Sequence, residues 1–388
     1  MITMRRQFLG LGFVAASSLL ALHAAHALNG PTAIAIDGGP FGSLNLSGGV
    51  DGYGYYVSGL ANGQQTTGVN VANALVELQK SSGELQFTIE VGSNGGAITV
   101  GTLSSRPAQT TITNYSTGPL YAGYITVAPK DMPFTISAGR IGSLEGYESG
   151  IDWNNPSQLT TDIWWVQNSQ NTGVEGAYTA GPLTATVAFG DGWDTHVFNF
   201  LQALVSYTID SNNNVNVYYA GNLGRTGLNA RTYGWGDGIT VADYGPYFMN
   251  SQMIGAWYSW THGNLNLIPE VQYVYAKTDH QLGIDKTTAN LGAIVLGDYS
   301  FANTPYSLGG WLEYEKSQGE GNWFVGPNSE AVGFAVSPTW QYKDLFARVN
   351  AGGLYLLNNK YDGVSYGYGD SGTDKFQFVG TLEAGLLF

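Results

Sequence analysis

Seven charged side chains, Asp51, Glu77, Glu90, Glu175, Glu270, Glu313 and Arg348, each fall on the parity opposite a run of apolar residues. A side chain that points away from an apolar surface points toward water, so such an array presents charge to an aqueous space. Six of the seven are acidic, and carboxylates lining a passage favour cations over anions. A second group is spaced differently: Arg140 is followed by Glu145, Glu148 and Asp152 in the connection 141–162. Acids facing a base across a narrow aqueous constriction would sort ions by sign. A solvated surface loop is the plainer alternative for the same charges.

Bond-making chemistry finds no support. There is no nucleophile elbow, phosphate loop or assembled Ser/His/Asp arrangement. His196, His262 and His280 lack zinc spacing. Asp210–Asn214 opens like a calcium loop, but Val215 stands where glycine is needed and Gly221 where a bidentate glutamate is needed. It reads as a turn, and Asp362, Asp370 and Asp374 read as a solvated Gly/Tyr-rich loop. The expectation is therefore no enzyme, no metal and no cofactor. With 15 basic against 29 acidic residues, nucleic acid is an unsuitable partner.

The elements that must position these charges are strands. Leu85, Phe87, Ile89 and Val91 alternate with Gln86, Thr88 and Glu90, after Ala72–Gln79 and a Ser81-Ser82-Gly83 turn, which describes a hairpin. The same alternation recurs through Leu120–Ala128, Phe134–Arg140, Leu183–Phe189, Leu201–Tyr207, Ile254–Trp260 and Val332–Val336. It ends on Phe376–Phe388, whose apolar parity carries Phe376, Leu382 and Phe388 while Glu383 faces the other way. Charged residues make up only 11% of the chain, against about 25% in soluble domains. No run of 18 apolar residues occurs beyond the extreme N-terminus, which excludes a bundle of transmembrane helices. Turns of two to five residues alternate with connections of 10 to 30, such as 141–162, 223–247 and 316–328. Short turns on one side and long loops on the other, with aromatic residues ending the apolar faces, are the pattern of a transmembrane antiparallel β-barrel. The count is about 16 strands, within 14–18. Closure requires Phe376–Phe388 to pair with Leu44–Tyr56, because an open edge has no water to satisfy it in lipid.

Residues 1–27 have the form of a signal peptide: Arg5 and Arg6, an apolar run Phe8–Leu22, and a small-residue site at Ala25-His26-Ala27. Residues 28–388 then form a single barrel. Loss of Arg5 and Arg6 leaves 13 basic against 29 acidic residues, a net charge of −16. Arg5-Arg6 also resembles a twin-arginine signal, which would export a soluble periplasmic β-protein already folded; the general secretory route suits a barrel better.

Four stretches, 71–91, 120–145, 174–194 and 331–351, resemble the OmpL-like β-barrel porin family of Gram-negative outer membranes. They include Asn73-Ala74-Leu75-Val76-Glu77-Leu78, Ser137-Ala138-Gly139-Arg140-Ile141-Gly142, Phe189-Gly190-Asp191-Gly192-Trp193-Asp194 and Val336-Ser337-Pro338-Thr339-Trp340. The resemblance implies a porin that passes small hydrophilic solutes and ions, with outer-membrane lipid and the outer-membrane assembly machinery as partners. It also implies an inward loop at 141–162, where Arg140, Glu145, Glu148 and Asp152 would form the constriction. A homotrimer is compatible with 16 strands. The last strand departs from the usual assembly signal, with Glu383 in place of glycine and Leu386 in place of an aromatic. A structural or adhesive surface barrel with a plugged lumen is the competing expectation.

Overall fold

Alternating apolar and polar side chains can satisfy lipid on one side and water on the other only if every backbone group is paired between strands. The computed structural model, which describes residues 28–101, 119–168, 170–230 and 245–388, meets that condition with sixteen antiparallel strands closed on themselves. In chain order they begin with β1 (Ser43–Val57), β2 (Thr67–Lys80), β3 (Leu85–Asn94) and β4 (Leu120–Val127). Next come β5 (Phe134–Gly142), β6 (Gln170–Ala180), β7 (Leu183–Asp191) and β8 (Phe200–Asp210). The far wall is β9 (Asn213–Asn222), β10 (Gln252–His262), β11 (Leu265–Ala276) and β12 (Thr288–Ser300). It is completed by β13 (Tyr306–Gln318), β14 (Glu330–Tyr342), β15 (Leu345–Asn358) and β16 (Phe376–Leu387). The expected signal peptide, 1–27, lies outside the described residues.

Each strand pairs with its neighbours in sequence, and β16 closes the ring on β1 from Gly49↔Leu387 to Val57↔Val379. The expected partner of the last strand is therefore the observed one. Below that seam β16 ends, and a short strand, Ile34–Asp37, takes over the same edge of β1 with Ile34↔Leu46 through Asp37↔Ser43. It covers backbone groups that the chain end would leave open.

The alternation places apolar residues outward. Leu312, 67% exposed, sits between the buried Trp311 and Glu313, and Val349, Val271, Val174 and Val50 stand outward beside Arg348, Glu270, Glu175 and Asp51. All seven charged residues thus lie on the inner face, as their parity requires. A base turned outward near the bilayer midplane would cost about 2–4 kcal/mol.

The core of this protein is inside the barrel. The connection after β5 runs inward instead of out into solvent, carrying Leu159, Ile163 and Val166 into one apolar cluster with Leu204, Trp311 and Leu354 of the wall. Burying each such side chain stabilises by about 1.5–3 kcal/mol. Ile98–Thr99 pairs in parallel with Leu159–Thr160 and holds the segment from the other side. The segment is longer than the 141–162 expected from sequence. β5 continues to Gly142, and beyond 162 a single-turn helix, α1 (Asp162–Trp165), keeps Ile163 and Val166 buried before the chain regains the wall.

Candidate pore constriction

The inward segment, 143–168, is hydrogen-bonded to the wall along its length, and four of these attachments are built on charged side chains. The first is centred on Arg348 of β15, fully buried. Its Nε donates to Glu383 Oε2 at 2.8 Å and its Nη2 to Glu383 Oε1 at 3.1 Å. Nη1 reaches the Asn155 carbonyl at 3.1 Å and Nη2 the Asp152 carbonyl at 3.2 Å, so one guanidinium joins the β15–β16 wall to the segment. Arg348 and Glu383 are register partners, which pre-aligns the fork. Asp51 joins through Asn73, whose N–H donates to Asp51 Oδ1 at 2.9 Å and whose side-chain amide donates to Asp152. Oxygens of Asp51, Asp152 and Glu383 lie within 4.8 Å of one another, and the guanidinium is the cation that offsets them.

The second pin is Glu145, which accepts from Gln202 Nε2 at 2.6 Å and from the Asn168 N–H at 2.9 Å. The third is Glu270 of β11, accepting the Tyr147 N–H at 3.1 Å and the Tyr218 hydroxyl at 2.8 Å. The fourth is Glu313 of β13, whose Oε1 accepts the N–H groups of Asp162 at 2.7 Å and Ile163 at 3.2 Å. Glu148 stays within the segment and accepts from Thr161 through its N–H at 3.2 Å and its hydroxyl.

Arg140 is turned elsewhere. Its Nη1 and Nη2 fork onto Asp194 at 2.6 and 3.0 Å, with Thr172 at 3.3 Å. Gly139, at φ +137°, lets this stretch of β5 press against β4, since a Cβ there would lie 2.3 Å from the Gly123 carbonyl oxygen. The four residues expected to face one another across water are therefore parcelled out: Arg140 to Asp194, Glu145 to Gln202, Glu148 to Thr161 and Asp152 to Arg348. In the sequence Asp194 stood out only as the end of the Phe189–Asp194 stretch, with nothing to pair it with Arg140.

Burial pushes the Glu145 carboxyl up to about 7, against the opposing pull of its Asn168 and Gln202 donors. Burial likewise pushes Glu148 up to about 8, with the nearby Glu270 adding to the effect and Thr161 working against it. A carboxyl whose folded value is raised stabilises the seat below the ordinary carboxylate range and loses that contribution as pH rises through the raised value. The seat of 143–168 is accordingly expected to loosen between about pH 5 and pH 9. Hydrogen exchange of this segment, corrected for intrinsic rates, should accelerate over that range by at most about tenfold per pH unit for each group. Slower exchange at the alkaline end would contradict it.

Space remains between the segment and the β2–β6 wall. A cavity of about 180 Å³ is lined from the wall by Glu77, Glu90 and Glu175 and from the segment by Glu145 and Glu148. Glu77 and Glu90 are register partners across β2 and β3. Among the described residues no Lys or Arg lines the cavity. The other predicted lining residues, Asp51, Glu270, Glu313 and Arg348, face the segment and hold it.

The family model described as "Putative beta-barrel porin-2, OmpL-like" matches residues 43–388. No curated protein matches the sequence. Among solved structures, the anion-selective porin from Comamonas acidovorans is similar with a TM-score of 0.60 at 12% identity, over 89% of this chain and 99% of that one. The outer membrane channel DcaP of Acinetobacter baumannii gives 0.56 at 12% identity, over 89% and 97%. OmpF of Salmonella typhi gives 0.55 at 13% identity, over 92% and 100%. At these identities the likeness is one of fold.

Proposed function

Because the chain belongs to the OmpL-like beta-barrel porin-2 family of the Gram-negative outer membrane, we propose that it is a passive diffusion channel for small hydrophilic solutes and ions that prefers cations. The five glutamates lining the cavity, with no Lys or Arg beside them among the described residues, carry the proposal. In a narrow, low-dielectric passage such a lining concentrates cations and repels anions, with no chemical step. Glu77, Glu90 and Glu175 form the wall side of the constriction; Glu145 and Glu148, on the side of the inward segment, add their charge as pH rises through about 7 and about 8. Arg140, Asp152, Arg348, Asp51, Glu270 and Glu313 act by holding that segment and its surroundings in place. The Comamonas porin is named for anion selectivity; the cavity here has the opposite sign. Delivery by the outer-membrane assembly machinery and a homotrimeric state complete the proposal.

Reconstitution into planar bilayers tests it. Steady conductance is expected, with a reversal potential of cation-selective sign in a salt gradient; an anion-selective sign would overturn the preference. A plugged surface barrel is the second reading, favoured by the complete burial of Arg348, Asn350 and Glu383 against the segment. It predicts no steady conductance in the same experiment.

A further inference from the structure

The five glutamates of the cavity differ in how far the protein already satisfies them. Glu145 accepts from Gln202 and Asn168, and Glu148 from Thr161. Glu175 of β6 lines the same space and is only 5% exposed, yet among the described residues nothing donates a hydrogen bond to it. Its register neighbours are Ala188 of β7, which has no donor to give, and Ser137 of β5, whose hydroxyl is engaged with that of Thr126 at 2.7 Å. A buried carboxylate without a donor is costly, and this one borders open space. We propose that the cavity is a binding site for organic diamines, molecules that carry two ammonium groups on a short apolar chain. The inference rests on the reading of the lumen as a cation-preferring passage.

The wall offers negative charge in two separate places. Glu77 and Glu90 stand directly opposite each other across β2 and β3, and among the described residues no guanidinium or ammonium offsets either. Like charges so placed repel, and an ammonium group between them would relieve it. Glu175 stands three strands further round, on β6. The wall is kept low beside these acids, with Ala122 opposite Glu90 and Ala188 opposite Glu175.

Aromatic surface fills the interval. Tyr124 of β4 is the register partner of Thr88, two residues short of Glu90, and of Gly139, two residues on from Ser137. The charges of Glu77, Glu175 and Glu90 all reach its hydroxyl. Trp164 of the segment and Trp257 of β10 line the same space. Aromatic faces attract ammonium groups and cover methylenes equally well. The cavity, at about 180 Å³, far exceeds the roughly 10–15 Å³ that one water needs. A bare metal ion suits it poorly, because no three of the five glutamates bring oxygens within 4.8 Å of one another. Carboxylates held apart by aromatic surface match charges held apart by carbon.

The test uses the full chain folded in detergent, titrated by calorimetry with diaminobutane and in parallel with butylamine. One diamine per chain is expected, with butylamine weaker by about tenfold or more, since each hydrogen bond to a charged group is worth about that. Glu175→Gln and Glu90→Gln should each lower diamine affinity by about tenfold, and Trp257→Leu by about two- to fivefold. Asp210→Asn, in an exposed turn, should leave binding unchanged. Retained heat-modifiable mobility on gels shows that each variant is folded. Absence of diamine binding to folded wild type, equal affinity for butylamine, unaltered binding in the Glu175→Gln/Glu90→Gln double variant, or loss of it in Asp210→Asn would each overturn the proposal. Planar-bilayer recordings keep the two readings apart. Cation-selective conductance without diamine binding would sink the site alone, whereas diamine binding to a barrel that does not conduct would sink the channel and leave the site standing.

Discussion

Arg348→Leu is expected to destabilise the folded barrel by about 3–5 kcal/mol, the usual result of stripping one partner from a buried ion pair. The guanidinium is wholly buried and divides its donors between Glu383 on the wall and Asp152 and Asn155 on the inward segment. Leucine has no donors to put there, so Glu383 and Asp152 would stay buried with their charges unpaired. The loss falls where the barrel closes, because Glu383 belongs to the last strand and Asp51 to the first. Urea unfolding in lipid vesicles, followed by tryptophan fluorescence, would register it. Adding Glu383→Gln and Asp152→Asn should recover much of the loss by removing the orphaned charges. If Arg348→Leu unfolds at the wild-type midpoint, the pin does not hold the segment. Single channels of the same variant should be noisier or wider, since the segment loses its tether to the β15–β16 wall.

The triple variant Glu77→Gln/Glu90→Gln/Glu175→Gln is expected to abolish most of the cation preference while leaving the barrel folded. A unit charge about 4 Å from a passing ion is worth about 1 kcal/mol even in water, so each carboxylate favours a cation by up to about fivefold and disfavours an anion by as much, up to about 25-fold in the cation-to-anion permeability ratio. All three are wall residues of the cavity, and glutamine preserves their size. Reversal potentials in dilute salt should show the effect at full strength. At about 1 M salt the screening length is about 3 Å and the difference between variant and wild type should largely vanish. A permeability ratio unchanged in dilute salt would remove these residues from the selectivity mechanism. Comparison with Arg348→Leu separates two roles: one set of charges touches the ions, the other holds the segment that narrows their path.

Much of this was legible without coordinates, and the legible part has a common origin. Glu90 between Ile89 and Val91, or Glu313 between Leu312 and Tyr314, announces its inward face because successive strand side chains alternate by backbone geometry alone. The pairing of the last strand with the first followed from the same source, since a barrel in lipid cannot leave an edge. Glu315 shares the parity of Glu313, and the same alternation turns it inward. The inward place of Asp162 has no such mark, because it lies on a non-repeating segment where parity carries no information.

Alternation, turn spacing and low charge therefore determined a membrane barrel of about sixteen strands with acids inside, because each is a local property or a property of the whole composition. Tertiary structure decided which charges meet. Asp152 and Arg348 stand 196 residues apart, and Arg140 meets Asp194 and not the acids that follow it. Those pairings depend on the strand register around the ring and on the path of 143–168 through the lumen. That path is set by Leu159, Ile163 and Val166 burying against opposite walls, a sum of many long-range contacts that no stretch of neighbouring residues encodes.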